Sequence, residues 1–307
     1  MNNSLKHLLI CTILATSGTM SGFSFKKIYS YVMPNTIPQE IVYEEYPAKK
    51  VTKLTVKNKN GNITLKTDAS QNAVLLKAIK KALEEDQLGQ LKITQKIDGQ
   101  EMIIEIAFDE SIDGSVDLEI IVPKTLTLDI CTIEGSIFIK EPHKQVYACT
   151  QKGPIEITNP LSSIDVITQN KGTITVYKPQ DQVKAQTNQG NIIIHDAQST
   201  VFANSTYGNV QLFAKEVPST SMIKLTSVSG SISVHLPSDV NADVQASTKH
   251  GTIFSDHFIT LKPQTTQLNK YTWKRLQRHI DGTLGTGEAQ IKLSSVRSDI
   301  KLLESKA

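Results

Sequence analysis

Through most of this chain apolar residues fall on every second position, and the alternation is broken at near-regular intervals by a glycine. Between residues 184 and 212 one phrase is stated twice: Lys-Ala-Gln-Thr-Asn-Gln-Gly-Asn-Ile-Ile-Ile, then Ala-Asn-Ser-Thr-Tyr-Gly-Asn-Val-Gln-Leu. Alternation at period two is the signature of a strand with one buried face. Around Gly190 the inward set is Val183, Ala185 and Thr187 before the glycine, then Ile192 and Ile194 after it. Around Gly208 it is Val201, Ala203, Ser205, Val210 and Leu212. The phrase also surrounds Gly135, Gly153, Gly172, Gly230 and Gly251, at spacings of 18 to 22 residues. An outlying copy stands at Gly61, and another ends the chain with Ser298 in the glycine slot. The Gly172 copy keeps its phase only with one extra residue before the glycine, as a β-bulge supplies.

Each copy reads as strand, tight corner, strand, with glycine supplying a corner conformation that a Cβ would penalise. Units of this length suit one coil of a β-solenoid, each coil pairing with the next at about 4.8 Å so that like residues stack in columns. The expected fold is mainly β: a single-stranded, right-handed-type β-solenoid over residues 51–304, with a β-sandwich of ordinary hairpins as the alternative. The inward hydroxyls at the corner (Thr132, Thr150, Thr168, Thr187, Ser205, Ser227 and Thr248) are expected to chain from coil to coil.

Four stretches depart from the phrase. Residues 1–22 read as a signal peptide, with Lys6, a short apolar run over 8–15 and small residues over 17–21. The run is too short to span a bilayer as a helix, and Cys11, preceded by the large Ile10, is a poor lipidation site. Export to the periplasm, cell surface or medium is the expectation, with residues 23–50 a linker leading into a first strand. Residues 73–86 are rich in helix formers with apolar positions near period 3.6, which predicts an amphipathic helix on or over an open end of the solenoid. Residues 91–107 alternate around Asp98-Gly99-Gln100 and predict a β-hairpin, and a further strand over 115–122 ends at Pro123. Residues 256–289 form an irregular insertion before the last coil. It holds a basic cluster around the only tryptophan: Trp273, Lys274, Arg275 and Arg278. That cluster is either a partner-binding loop for an anionic group or a glycan, or a cover over the solenoid.

Composition adds exclusions more than assignments. A net charge of +3 selects no partner, and 6% aromatic residues leave no evident stacking platform for single-stranded nucleic acid. Cys131 and Cys149 each stand four residues before a glycine, which puts them in one outward column on adjacent coils and within disulfide reach. An oxidising compartment would bond them; otherwise they are two free thiols. His195 and His235 each follow a glycine by five residues and lie two coils apart, with Phe213 between, too far apart to share a zinc ion. His250 and His257 lack a completing ligand set. The outward positions after the glycines of seven coils hold one acid, Glu156, against the two carboxylates that glycoside hydrolysis needs. Gly282, Gly285 and Gly287 are followed by no Lys-Ser/Thr and read as turns rather than a phosphate loop. No cofactor or metal is expected.

The repeated phrase, the Ile121-Val122-Pro123 strand end and the closing Gly282-Thr-Leu-Gly285-Thr-Gly287-Glu-Ala-Gln-Ile291, followed by Ser295-Val-Arg-Ser298-Asp-Ile300, carry a family likeness. Over about residues 40–304 the chain resembles the bacterial "putative adhesin" family of unknown function, which includes LiaG-like proteins. The resemblance implies a β-solenoid, often exported or membrane-tethered, with no established catalytic residues. The insertion and Ser298 depart from its usual pattern. The expected function is therefore that of a non-enzymatic envelope protein whose outer Thr, Asn, Gln and Ser residues meet a glycan or another envelope protein. The alternatives are a structural solenoid that stacks end to end and, behind it, a carbohydrate-active enzyme. No integral membrane span is expected, and the protein is either a monomer or an end-to-end assembly.

Overall fold

Each copy of the phrase sends the strand before its glycine to one sheet and the strand after it to another. In the Gly190 coil these are Val183–Thr187 and Ile192–His195. Successive coils pair in parallel and in register: Val183, Ala185 and Thr187 stand between Ile164, Val166 and Thr168 on one side and Val201, Ala203 and Ser205 on the other. The computed structural model, which describes residues 27–31 (backbone only), 37–262 and 278–305, is a two-sheet β-solenoid with 13 strands in each sheet. The extra residue of the Gly172 coil is a bulge, since Thr150 pairs with Thr168 but Lys152 with Lys171.

Alternation puts one face of each sheet inside. One inward column runs Ile130, Ala148, Val166, Ala185, Ala203, Leu225, Leu293 and Ala246. The other sheet supplies Ile139, Ile157, Val176, Ile194, Leu212, Val234 and Leu302. None of these is more than 2% exposed. Small residues in one sheet are accompanied by large ones in the other, which keeps a narrow core filled. Each fully buried Val, Leu or Ile contributes about 1.5–3 kcal/mol.

The corner is tighter than the pattern alone suggests. A Cβ added at Gly153, Gly172, Gly190, Gly208 or Gly230 would fall closer than 3.0 Å to the carbonyl oxygen of the neighbouring coil's glycine. In this column only Gly61, Gly135 and Gly153 have positive φ, at 123°, 148° and 141°. Elsewhere in it, close approach of backbone to backbone is the constraint, rather than an unusual conformation. Ser298 occupies the slot beside Gly230, and its hydroxyl donates to the Ser229 carbonyl at 2.9 Å.

Beneath the glycines lies the buried hydroxyl column, though it does not chain hydroxyl to hydroxyl. Ser205 Oγ accepts from the Gly208 N–H at 2.8 Å and donates to the Gly190 carbonyl at 3.0 Å. Ser227 repeats this with Gly230 and Gly208, and Thr248 with Gly251 and Ser298. Among the described residues, Thr168 to Thr187 at 2.6 Å is the one direct link in the column. Coils about 4.8 Å apart hold most hydroxyls beyond the roughly 2.7 Å of an O–H···O bond, and a glycine carbonyl fills the gap. Outside the corner Asn191 Oδ1 accepts the Asn209 N–H, and Asn209 Oδ1 accepts the Ser231 N–H, both at 2.9 Å.

Residues 73–86 form no α-helix. Ala73–Ala82 is a strand, antiparallel to both Gln39–Pro47 and Gly114–Pro123, and only the 3-10 turn Glu85–Gln90 follows it. The segment satisfies both periods, and period two buries Val74, Leu76 and Ala78. Its lysines find acids on the flanking strands: Lys80 meets Glu40 at 2.9 Å, Lys77 meets Glu119 at 2.9 Å and Lys81 meets Asp117 at 2.7 Å. Cross-strand partners outweigh the intrinsic helix preference. Residues 23–50 likewise hold more than a linker, because Lys27–Tyr31 pairs with Gln39–Pro47. The hairpin forms as expected, with Lys92–Asp98 antiparallel to Glu101–Ala107.

The coils depart from chain order at both ends. The first coil, Lys53–Asn60 with Ile63–Asp68, lies between the strands Glu101–Ala107 and Gly114–Pro123 on one side and the Gly135 coil on the other. The last coil, Ala289–Ser295 with Ile300–Glu304, lies between the Gly230 and Gly251 coils rather than beyond them. The outer edge of Ala242–Thr248 is taken by His279–Leu284, which runs antiparallel to it and pairs in turn with Thr260–Leu261. The described part of 256–289 is therefore sheet as well as turn, and the returning chain occupies the inner slot.

The contact at the corner predicts that Gly190→Ala lowers stability by about 2–3 kcal/mol in urea unfolding. Gly89→Ala, whose Cβ would meet nothing within 4 Å, should stay within about 0.5 kcal/mol of wild type; equal small losses would refute the assignment. Removal of residues 289–305 takes out an inner coil rather than a tail. It should lower the melting temperature by at least about 10 °C, as a loss of several kcal/mol does in a domain of this size, and a synthetic 288–305 peptide should restore part of it.

Candidate functional site

Because the register is fixed inside, the outward residues also stand in columns. On the sheet after the glycines the first column runs Phe138, Glu156, Thr175, Ile193, Gln211 and Ser233. The second runs Lys140, Thr158, Tyr177, His195, Phe213 and His235. Its last four rings form a ladder with centroids 4.9, 4.8 and 4.4 Å apart and planes within 16°. Phe213 does separate the two histidines. Tyr177, the fifth residue after Gly172, belongs with them, and that spacing was its signal. The rings turn their faces to one another, which leaves no open face inside the ladder for a sugar to stack on. Partial burial lowers the pKa of His235 below its usual 6.5, and Asp256 opposes the shift.

On the other sheet one outward column runs Asp129, Tyr147, Asp165, Lys184, Phe202, Lys224, Lys292 and Gln245. Several of its charges are paired. Lys184 meets Asp165 at 2.9 Å, and Lys53 meets Glu101 and Asp129 at 3.0 and 3.1 Å. Hydrogen bonds from Thr55 and then Lys53 hold the half-buried Glu101 carboxyl below the ordinary range. The next column brings Cys131 and Cys149 together as direct partners, with Cα atoms 4.6 Å apart and sulfurs in bonding contact. A groove of about 430 Å³ passes over them, lined also by Lys57, Lys59, Glu105 and Phe108.

The basic loop is only partly in view. Trp273, Lys274 and Arg275 lie outside the described residues, and Arg278, which is exposed, accepts the Thr248 N–H on its carbonyl at 2.9 Å. His250 is exposed, and a ring nitrogen of His257 lies 3.2 Å from the Leu303 carbonyl. Among the described residues no three His, Cys, Asp or Glu side chains stand close enough to hold a metal ion. Nor is any described helix long and apolar enough to cross a membrane.

Parallel two-strand coils, a corner of touching glycine backbones and outward side chains in columns define a β-solenoid repeat protein. The chain belongs to the Toastrack DUF4097 family, whose model matches residues 17–303. Among solved structures it is similar to a "putative adhesin" from Bacteroides fragilis NCTC 9343, with 14% identity over 86% of this chain and 97% of that one and a TM-score of 0.46. It is also similar to a "putative adhesin" from Parabacteroides distasonis ATCC 8503, with 9% identity over 85% and 96% and a TM-score of 0.45. A third likeness, at 8% identity over 92% and 100% and a TM-score of 0.27, is to a "putative cell adhesion protein" from Clostridium sporogenes ATCC 15579. No curated protein matches the chain.

The ladder yields a pH prediction. A histidine pKa lowered in the folded state means that the unfolded chain takes up the proton first as pH falls. The contribution of His235 is therefore complete above about pH 6.5 and is lost as pH falls below that value. Melting temperatures from pH 7.5 to 5.5 should fall more steeply for wild type than for His235→Phe; parallel curves would remove the burial argument.

Proposed function

We propose that this chain is an exported, non-enzymatic envelope protein whose rigid solenoid serves as an adhesin-like or scaffold surface for a glycan or another envelope protein. The observation that carries the reading is the outer surface. Hydroxyl, amide and charged side chains recur there at strand spacing, over a backbone held by the corner column. A single acid, Glu156, among six successive outward positions after the glycines favours binding over paired-carboxylate hydrolysis. Export is supported by the apolar run over residues 8–15 and by the neighbouring Cys131 and Cys149, which suit an oxidising compartment. End-to-end assembly is the weaker reading. Antiparallel strands finish both sheets beyond the first coil, and the two-residue Thr260–Leu261 finishes one sheet at the far end, so another copy's coil finds little free parallel edge.

Mass spectrometry without reduction, on protein recovered from its native cell fraction, tests this. The expected mass lacks about the first 20 residues, where small side chains permit signal cleavage, and lacks two hydrogens for the Cys131–Cys149 bond. An intact N-terminus with two free thiols would overturn export and the adhesin-like reading with it.

A further inference from the structure

Insertion of the last coil creates a neighbourhood that chain order hides. Lys224 of the Gly230 coil faces outward, and its partner on the adjoining strand is Lys292 of the last coil. In parallel register the two side chains leave the sheet about 4.8 Å apart. Like charges placed opposite one another weaken a sheet. On the same face three other lysines do have acidic partners: Lys184 meets Asp165, Lys53 meets Glu101 and Asp129, and Lys262 meets Asp243 and Asp281. Among the described residues, neither Lys224 nor Lys292 takes part in an ion pair or a side-chain hydrogen bond.

The surroundings form a site rather than a bare patch. Beside the two lysines runs a row of hydroxyls from three adjoining strands, Thr226, Ser294 and Ser247. Both rows lie in a groove of about 280 Å³ that Gln245, His279 and Asp281 close at the far end. Asp281 Oδ1 is buried without a hydrogen-bond donor, with Lys262 at 3.8 Å. The groove thus offers two positive charges for an oxyanion, hydroxyls and an amide for a polyol, and one buried acceptor short of a donor. Its lining has no Phe, Tyr or Trp, so it lacks the stacking surface that single-stranded nucleic acid uses.

We propose that this groove binds an acidic polysaccharide, with Lys224 and Lys292 clamping one anionic group and the Thr226, Ser294 and Ser247 row meeting the sugar hydroxyls. This rests on the binding-surface reading above and gives it a location and a ligand chemistry. Two unpaired lysines tolerated side by side are explained when an anion completes them, and the hydroxyl row distinguishes a sugar polymer from a bare inorganic ion.

The test is binding of the full chain to polygalacturonate oligosaccharides by calorimetry in low and in physiological salt. Dextran sulfate serves as a second acidic polymer, and methyl-esterified polygalacturonate and dextran serve as neutral controls. Wild type should bind an acidic polymer and neither neutral one, with affinity falling as salt rises. The K224Q/K292Q double variant should bind at least about tenfold more weakly, a factor of the size that loss of one charge-assisted contact gives. K140Q/K144Q, which removes the same charge from exposed lysines elsewhere, should bind as wild type does. Preference for polygalacturonate over dextran sulfate would identify carboxylate as the group held, and the reverse would identify sulfate. Thr226→Val should weaken binding while leaving the salt dependence unchanged. Equal losses in the two double variants would overturn the groove in favour of unspecific charge. Undiminished binding by K224Q/K292Q would overturn the groove while leaving a binding face elsewhere, and no binding to either acidic polymer would overturn the ligand class. None of these results bears on export, which the mass measurement decides separately.

Discussion

At each corner of this solenoid the backbone of one coil rests against the backbone of the next, and a buried hydroxyl ties the two together. At Ser205, Ser227 and Thr248 the hydroxyl accepts from its own coil's glycine N–H and donates to the carbonyl at the neighbouring corner, while Thr132, Thr150 and Thr187 donate to the neighbouring glycine carbonyl. The approach is too close for a Cβ, so the position is glycine nearly throughout. A buried polar hydroxyl without partners would cost about 1–3 kcal/mol, so Ser or Thr persists beneath it because a neighbouring carbonyl or hydroxyl takes its proton. This bracket sets the register of every coil it touches. A slip of one residue would turn Val183 and Ala185 outward and Lys184 and Gln186 into the core. Order on the outer faces is then a consequence of order at the corner, and the columns of cysteines, rings and lysines exist because the register cannot drift.

Much of the middle of the molecule was legible because spatial order there is chain order. A column position could be counted from its glycine, which brought Cys131 to Cys149 and set Phe213 between His195 and His235. Counting fails where the same count has two solutions. Ala, Leu and Lys over residues 73–82 satisfy period two as well as period 3.6. The choice was made by Glu40, Glu119 and Asp117, which stand far away in sequence. The hydroxyl column was placed correctly and its bonding was not, since column membership says nothing about the carbonyl that stands between neighbours. The position of residues 289–304 was beyond the pattern altogether. Their phase fits the slot after the Gly251 coil as well as the slot before it, and only the antiparallel His279–Leu284 on the outer edge distinguishes the two.

That last displacement has consequences for stability and for chemistry. A coil at the end of a repeat stack has one neighbour, and terminal repeats are where such proteins fray. Here the first and last coils each have neighbours on both sides, and three of the four sheet edges are internal segments of the chain, Lys92–Asp98, Ile253–Ser255 and Thr260–Leu261. The edges are largely antiparallel or very short strands, which present poor templates to another copy. Closing the stack also requires contacts between residues distant in sequence, so the far end is complete only when the final strands arrive. The groove at Lys224 and Lys292 is built by that closure. Had the last coil been added in chain order, Lys224 would adjoin Gln245, and the unpaired lysines would stand a coil apart. Completing the fold and assembling the Lys224–Lys292 pair are one event, because a single strand, Ala289–Ser295, supplies both the missing layer of core and the second lysine.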